Sequence, residues 1–158
     1  MSKITTNLWF DNQAEEAAKF YTSIFKNSKI NDITRYGKAG YEFHGRPEGS
    51  VMTVAFELDG DSFVALNGGP MFPFNEAISL IINCKDQSEV DYFWDKLTSD
   101  GGEPGQCGWL KDKYGVSWQV VPKGLQSLLT NSDRARQERV MSVLMTMSKI
   151  DLNRLEQA

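Results

Sequence analysis

The sequence has few of the side chains on which metal binding and nucleophilic catalysis usually depend. Its 158 residues include one histidine, His44, and two cysteines, Cys84 and Cys107. Neither cysteine belongs to a CxxC pair, and two scattered cysteines fit a reducing cytoplasm better than a disulfide framework. A Ser-His-Asp arrangement would need His44, which lies in a glycine-rich loop, so neither a metal site nor a catalytic triad is expected.

Long apolar runs and a basic surface are also missing. No apolar run approaches the ~20 residues that span a bilayer, and the N-terminal twelve residues lack the apolar core of a signal peptide. The net charge of −4 and the pI near 5.0 argue against a nucleic-acid surface, which requires a basic face. We therefore expect a cytoplasmic protein that binds neither membranes nor nucleic acid.

The composition that remains is ordinary for a globular protein, with 41% hydrophobic and 24% charged residues. A chain of this length suits one domain, or two small modules that share a core. A pattern of strand, capped helix and further strands occurs twice, near residues 3–69 and 77–122, which indicates an internal repeat.

Local signals within each repeat predict its turns and helix starts. In the first repeat, Asn12 with Glu15 forms a capping box, and Asp59 with Gly60 predicts a hairpin. In the second, Asp86 with Glu89 forms a capping box, and a hairpin turns around residues 112–115. Alternation in the first strand places Thr5, Asn7 and Trp9 on one face and Ile4, Thr6, Leu8 and Phe10 on the other.

The tail, residues 123–158, has a helical pattern. Its apolar stripe comprises Val140, Val143, Leu144, Met147 and Ile150. Such a stripe must be buried, either over the protein's own sheets or against a second subunit.

Four stretches together resemble one protein family. They are "FDNQAEEAAKFYTSIF", "LNGGP", "AISLIINCKDQSEVDYFWDKL" and "CGWLKDKYGVSWQVVP". In combination they are similar to the PhnB-like branch of the vicinal oxygen chelate superfamily, which includes glyoxalase I, extradiol dioxygenases and bleomycin-resistance proteins. Some members of that branch are named 3-demethylubiquinone-9 3-methyltransferase-like. The resemblance runs through Pro122, and the tail is also similar to that branch.

The resemblance implies an α+β fold of two βαβββ modules, at 3–69 and 77–122, that form curled mixed sheets within residues 1–122. The helical extension at 123–158 would pack on the same domain or on a partner subunit. The resemblance also implies a homodimer, with elements that could be exchanged between subunits.

In that superfamily, two His or Gln and two Glu side chains point into a cup and hold a divalent ion. The resemblance places the corresponding positions at Thr5, Asn67, Ser79 and Gln119. Hydroxyls and amides supply neither negative charge nor an imidazole lone pair, so they are poor ligands for such an ion. The implied function is therefore a metal-free cup, without a cofactor, that binds a small molecule.

The same inference extends the predicted ligand site beyond these four residues. Asn7 and Trp9 share a face with Thr5, and Trp109 would lie at the rim. The alternative for Gln119 is an amide that is hydrogen-bonded to backbone across the sheet. Small polar residues such as Ser79 also fill sheets without any ligand.

Two enzymatic alternatives stay open, and no catalytic residue is identified for either. One is a metal-dependent lyase, isomerase or dioxygenase of the superfamily, and the other is the methyltransferase that the branch name suggests. Common S-adenosylmethionine enzymes carry a glycine-rich turn after their first strand. Here the first strand runs into "FDNQAEE", which contains no glycine. A third alternative is that the tail makes the protein an interaction module.

Overall fold

A computed structural model describes residues 2–158, which divide into two compact units, the first ending at Pro73 and the second spanning residues 74–158. Each unit contains a four-stranded mixed sheet with a helix against one of its faces. The repeated βαβββ pattern and the α+β fold class are thereby confirmed. No helix in residues 2–158 combines the length and apolar character that crossing a membrane requires.

The first unit contains four strands and two helices. They are β1 (Thr6–Phe10), α1 (Ala14–Ile24), β2 (Lys29–Arg35), α2 (Tyr41–His44), β3 (Val51–Leu58) and β4 (Asp61–Asn67). The strand order is β1-β4-β3-β2, in which β1 and β4 are parallel and the other pairs are antiparallel. The β3–β4 hairpin turns at Asp59 and Gly60, both at positive φ, as the sequence predicts.

The helix α1 covers one face of the first sheet because its small and aromatic residues recur at helical spacing. Its buried residues are Ala14, Ala17, Ala18, Tyr21 and Ile24. The sheet residues beneath it include Leu8, Phe10, Val54, Phe56 and Ala65, all buried. Residues that alternate with these, among them Asn7, Trp9, Val64 and Leu66, lie on the sheet face that points away from α1, here called the far face of the first sheet.

The start of α1 differs from the expectation. The predicted Asn12–Glu15 capping box does not form, and Gln13 at the N-cap makes no side-chain cap. Instead, the Ala14 N–H donates to Asn67 Oδ1 at 2.8 Å, from the end of β4. A partner 53 residues away satisfies the helix start, so a local motif could not reveal it.

The second unit contains four strands and four α-helices, with a short 3₁₀-helix (Ser99–Gly101) after the first of these helices. They are β5 (Leu80–Cys84), α3 (Gln87–Leu97), β6 (Glu103–Pro104), β7 (Trp109–Lys111), β8 (Ser117–Pro122), α4 (Gly124–Leu129), α5 (Arg134–Leu144) and α6 (Leu152–Glu156). The strand order is β5-β8-β7-β6, in which β5 and β8 are parallel. The predicted Asp86 cap is confirmed, because Asp86 Oδ1 accepts from the Glu89 N–H at 2.9 Å.

The helix α3 packs against this second sheet. It buries Val90, Trp94 and Leu97, whereas Phe93, which the helical pattern places in the same stripe, is only half-buried. Trp118 of β8 is 2% exposed and lies on the sheet face that α3 covers. By alternation, Gln119 then lies on the face that points away from α3, here called the far face of the second sheet.

The tail packs within the second unit. A buried cluster joins α4, α5 and α6 with the residues between them: Leu125, Leu128, Val140, Leu144, Met147, Ile150 and Leu155. Cys107 and Val121, from the strand region of the same unit, pack against this cluster. The apolar stripe of the tail is therefore buried by its own chain and needs no second subunit to cover it.

Candidate functional site

The far face of the second sheet brings together three of the predicted ligand residues. Gln119 lies between Ile81 of β5 and Trp109 of β7 in the strand register. Its Nε2 donates to Ser79 Oγ at 2.9 Å, just before β5 begins. Ser79, Trp109 and Gln119 thus lie on one surface. Its polar pair, Gln119 and Ser79, has the apolar Ile81 and the aromatic Trp109 as neighbours.

This surface is accessible. Ile81 is 56% exposed, and Ser79, Trp109 and Gln119 are half-buried. The Gln119 amide is bonded to a hydroxyl and not to backbone across the sheet, which was the alternative. Its carbonyl oxygen accepts no hydrogen bond from residues 2–158, so the side chain keeps an acceptor for a further partner.

The sequence interpretation missed a charged group on the same surface. Lys111 lies two residues after Trp109 in β7, so both side chains are on the same face of the sheet. The Lys111 Nζ forms an ion pair with Glu76. The hydrogen bond from Lys111 lowers the pKa of the Glu76 carboxyl below its ordinary value of 4.5. The spacing of two residues from Trp109 could have shown that Lys111 lies on this face. No sequence pattern near Lys111 indicates that it contacts Glu76.

The far face of the first sheet holds two further predicted residues. Asn7 is exposed beside Val64, and Trp9 is half-buried beside Leu66. Thr5 is exposed and precedes β1, so it adjoins this face without belonging to the strand.

Trp9 is held in place by the segment that follows β4. Its Nε1 donates to the Gly69 carbonyl at 2.9 Å, and its ring meets Phe72 edge-on at 4.9 Å between centroids. A Cβ at Gly68 would lie 2.3 Å from the indole, so only glycine allows this approach. The "LNGGP" stretch therefore positions an aromatic ring as well as ending the first module.

Asn67 lies on the other side of its sheet from Asn7 and Trp9. It pairs with Phe10, which is buried under α1, and it is itself 7% exposed. Its Oδ1 accepts from the Ala14 N–H and its Nδ2 donates to the Val51 carbonyl at 3.1 Å. The prediction that the Asn67 and Thr5 side chains point to the same side of the sheet is therefore wrong. Neighbouring residues of a strand point to opposite faces, so a shift of one residue reverses the face.

Asn67 also contributes to a cleft of about 380 Å³ in the first unit. The cleft is lined by Asn12, Glu15, Glu16, Arg46, Pro47, Ser50, Val51 and Asn67. Two of its charged residues already have partners on the chain, since Glu15 pairs with Lys19 and Arg46 pairs with Asp11. None of the other predicted ligand residues lines this cleft.

The residues of the two far faces do not fit the divalent ion of the superfamily. Thr5, Asn7, Ser79 and Gln119 offer only hydroxyls and amides, and the carboxylate of Glu76 is engaged by Lys111. No three His, Cys, Asp or Glu side chains within residues 2–158 are grouped as a metal site requires. Such neutral donors bind divalent ions weakly, so the chemistry that these residues support is hydrogen bonding to an organic molecule.

Cys84 and His44, which have nucleophilic or basic side chains, are engaged elsewhere. Cys84 is buried under α3, and burial raises the pKa of its thiol to about 12, which keeps it protonated. The His44 ring lies 4.5 Å from the Tyr36 ring, and its Nδ1 accepts from the Arg46 N–H at 2.9 Å. That ring nitrogen is therefore used in holding its own loop.

The chain is similar to one known protein family and to several solved structures. A family model described as 3-demethylubiquinone-9 3-methyltransferase matches residues 2–121. A PhnB protein from Bacillus cereus is 38% identical over 77% of this chain and 99% of its own, with a TM-score of 0.67. A Staphylococcus aureus protein is 33% identical over 76% of this chain and 95% of its own, with a TM-score of 0.34.

A more distant structure supports the fold alone. A Pseudomonas aeruginosa protein is 17% identical over 78% of this chain and 98% of its own, with a TM-score of 0.61. A search of curated proteins found no match. The family match ends at residue 121, so the tail lies outside it.

Proposed function

We propose that this chain, which belongs to the PhnB-like family of glyoxalase-fold proteins described as 3-demethylubiquinone-9 3-methyltransferases, binds a small organic molecule on the far face of its second sheet. The observation that carries the proposal is the Gln119–Ser79 hydrogen bond of 2.9 Å on an accessible surface beside Trp109 and Ile81. Polar groups within an apolar and aromatic surface are the usual composition of a small-molecule site.

The proposed ligand has a neutral polar group on an apolar or aromatic body. The Gln119 carboxamide can accept a hydrogen bond while its Nε2 remains on Ser79, and the ligand body would contact Trp109 and Ile81. In the first unit, considered by itself, Thr5, Asn7 and Trp9 are proposed as ligand-binding residues at the far face of the first sheet. Asn67 is assigned a structural role instead, since both ends of its amide are bonded to backbone.

Binding is proposed to need neither a metal nor another cofactor, because the neutral donors do not fit a divalent ion. Methyl transfer is not proposed, although the family description names it. The common methyltransferases use a doubly wound parallel sheet with a glycine-rich turn, whereas both sheets here are mixed and β1 leads into α1 without a glycine. We assign no reaction to this chain.

The location and assembly of the protein extend the proposal. Cys84 and Cys107 are unpaired, which supports the expected cytoplasmic location. A homodimer is proposed as well, supported by the exposed Ile78 and Met145 of the second unit.

Nuclear magnetic resonance of the ¹⁵N-labelled protein tests the site with neutral aromatic probes, 2-naphthol and benzamide. We expect 2-naphthol to shift the side-chain amide signal of Gln119 and the indole signal of Trp109. Gln119→Leu should weaken its binding about tenfold, the cost of roughly one hydrogen bond. The matched control is Gln126→Leu, at an exposed position of α4, which should bind as the wild type does.

Two results would count against the proposed function. One is that neither probe shifts the Gln119 or Trp109 signals at millimolar concentration. The other is that Gln119→Leu and Gln126→Leu bind 2-naphthol with equal affinity.

A further inference from the structure

The tail runs beside the loop that leads into Trp109. The Cys107 N–H donates to the Met147 carbonyl at 2.9 Å, and the Gly108 N–H donates to the Ser148 carbonyl at 2.8 Å. The Ser148 hydroxyl also donates to the Gly105 carbonyl at 2.6 Å. These hydrogen bonds, together with one from Cys107 Sγ to the Leu144 carbonyl at 3.6 Å, hold residues 105–108 against the tail.

The same loop residues are bonded directly to the proposed site. The Gly105 N–H donates to the Trp109 carbonyl at 2.8 Å. The Gly108 carbonyl accepts from the N–H of Val120, the neighbour of Gln119, also at 2.8 Å. Ser148 is therefore two hydrogen bonds away from the backbone of Trp109.

The tail is itself fixed at this point by α3. Gln87 Nε2 donates to the Ile150 carbonyl at 2.8 Å, and the Leu152 N–H donates to Gln87 Oε1 at 2.9 Å. Lys149 Nζ lies 3.0 Å from Asp91 Oδ1. Ile150 is fully buried, so the segment that contacts the loop has little freedom to move.

We propose that the tail is a positioning element of the ligand site, with Ser148 as its positioning residue. By holding residues 105–108, Ser148 sets the orientation of Trp109 against Gln119 and so the shape of ligand that the surface accepts. The inference rests on the proposed function. Because the family match ends at residue 121, this device is supplied by a part of the chain outside the family's common core.

The first test is made without ligand, by recording the indole N–H signals of the ¹⁵N-labelled protein. Ser148→Ala removes the hydroxyl bond to Gly105 and keeps the backbone bond to Gly108. We expect the Trp109 signal to shift or broaden while those of Trp94 and Trp118 stay in place. Ser148→Thr keeps a hydroxyl and should restore the wild-type spectrum, and Ser142→Ala, at an exposed position of α5, should leave it unchanged.

The second test measures the affinity of each variant for 2-naphthol. We expect a loss of roughly three- to tenfold in Ser148→Ala, the range that one net hydrogen bond covers. Ser148→Thr and Ser142→Ala should bind as the wild type does. A purely structural role would lower the melting temperature and move all indole signals together, without the selective change at Trp109.

The proposal is overturned if Ser148→Ala leaves the Trp109 signal unchanged, or if that signal shifts while the affinity stays the same. A loss in Ser148→Ala that Ser148→Thr does not restore also overturns it. Failure of the proposed function is separate: the wild type would then not bind 2-naphthol at the Gln119 and Trp109 signals, whatever the ligand-free spectra show.

Discussion

Asn67 and Gln119 carry the same carboxamide and use it differently. Asn67 is buried, and both ends of its amide are bonded to backbone groups at the start of α1 and in β3. Gln119 is half-buried, donates to one hydroxyl and keeps an acceptor. At the scale of single residues, the first amide stabilises the fold and the second is available to a ligand.

The structural role of Asn67 predicts a large loss of stability on its removal. Asn67→Ala leaves the Ala14 N–H and the Val51 carbonyl without their partner, which should lower the free energy of unfolding by about 3 kcal/mol. Asn83→Ala, at an exposed position of β5, should change it by less than about 0.5 kcal/mol. Urea denaturation measures both, and an equal small effect would contradict the assigned role.

The ion pair at Lys111 predicts how Glu76 titrates. The folded-state pKa of Glu76 lies below 4.5 because Lys111 donates to the carboxylate. Because the folded-state pKa is depressed, the ion pair stabilises the folded state fully at pH values above the ordinary pKa of 4.5. This stabilisation is lost as the pH falls through the folded-state pKa. Carboxyl resonances followed from pH 7 to pH 2 should show the depression.

A matched pair of lysine variants separates this contact from the overall charge. Lys111→Met should return the pKa of Glu76 toward its ordinary value, whereas Lys123→Met, at an exposed position, should leave it depressed. If both variants titrate alike, Lys111 and Glu76 are not paired in solution.

At the scale of elements, Asp112 organises the β7–β8 hairpin. It is 3% exposed, its Oδ1 accepts from the N–H groups of Tyr114 and Val116, and its Oδ2 accepts from Trp118 Nε1 at 2.8 Å. Through Trp118 the turn is tied to the strand that carries Gln119.

Replacing this carboxylate by an amide should weaken the hairpin. Asp112→Asn puts an NH₂ donor against either the Trp118 indole N–H or the turn amides, which should cost roughly 2 kcal/mol of stability. Asp95→Asn, at an exposed position of α3, is the control and should be neutral. Thermal melts and the Trp118 indole shift report the change, and a neutral Asp112→Asn would refute this account of the turn.

The contact between the tail and the loop predicts a difference between two glycines. Gly108 and Gly49 have nearly equal φ angles, +85° and +87°, so alanine carries the same backbone strain at each. At Gly108 a Cβ would also lie 2.7 Å from Ile150 Cδ1 and 3.0 Å from the Val120 carbonyl, whereas at Gly49 nothing lies within 4 Å. Gly108→Ala should therefore cost about 1–3 kcal/mol more than Gly49→Ala. Equal denaturation midpoints of Gly108→Ala and Gly49→Ala would show that the tail does not pack closely against this loop.

Patterns within a few residues predicted most elements correctly. The hairpins at Asp59–Gly60 and 112–115 and the cap at Asp86 depend on neighbouring residues, so the sequence alone was sufficient. The cap of α1 by Asn67 joins residues 53 positions apart, and the hydrogen bond from Ser148 to Gly105 joins residues 43 positions apart. Such contacts are set by the fold, and for this reason the face of Asn67 and the tail's contact with the loop were not predictable.

At the scale of the whole molecule, the sequence repeat appears as two units with the same strand arrangement. The tail completes the second unit by burying its apolar stripe there. The tail therefore needs no second subunit to cover its apolar stripe. The proposed dimer is supported instead by exposed apolar residues such as Ile78 and Met145.

Light scattering at micromolar concentration tests the assembly. We expect a mass near twice the 17.8 kDa of one chain. A mass of one chain at these concentrations would contradict the homodimer while leaving the ligand site on the second sheet unaffected.

The central claim is that the protein binds an organic molecule without a metal, and native mass spectrometry of protein purified from its source tests it most directly. Metal content would be measured by elemental analysis of the same sample. We expect a mass excess from a neutral organic ligand, absent in Gln119→Leu and retained in Gln126→Leu, and no divalent metal in stoichiometric amount. One divalent ion per chain, with ligand lost when the ion is chelated, would contradict the account.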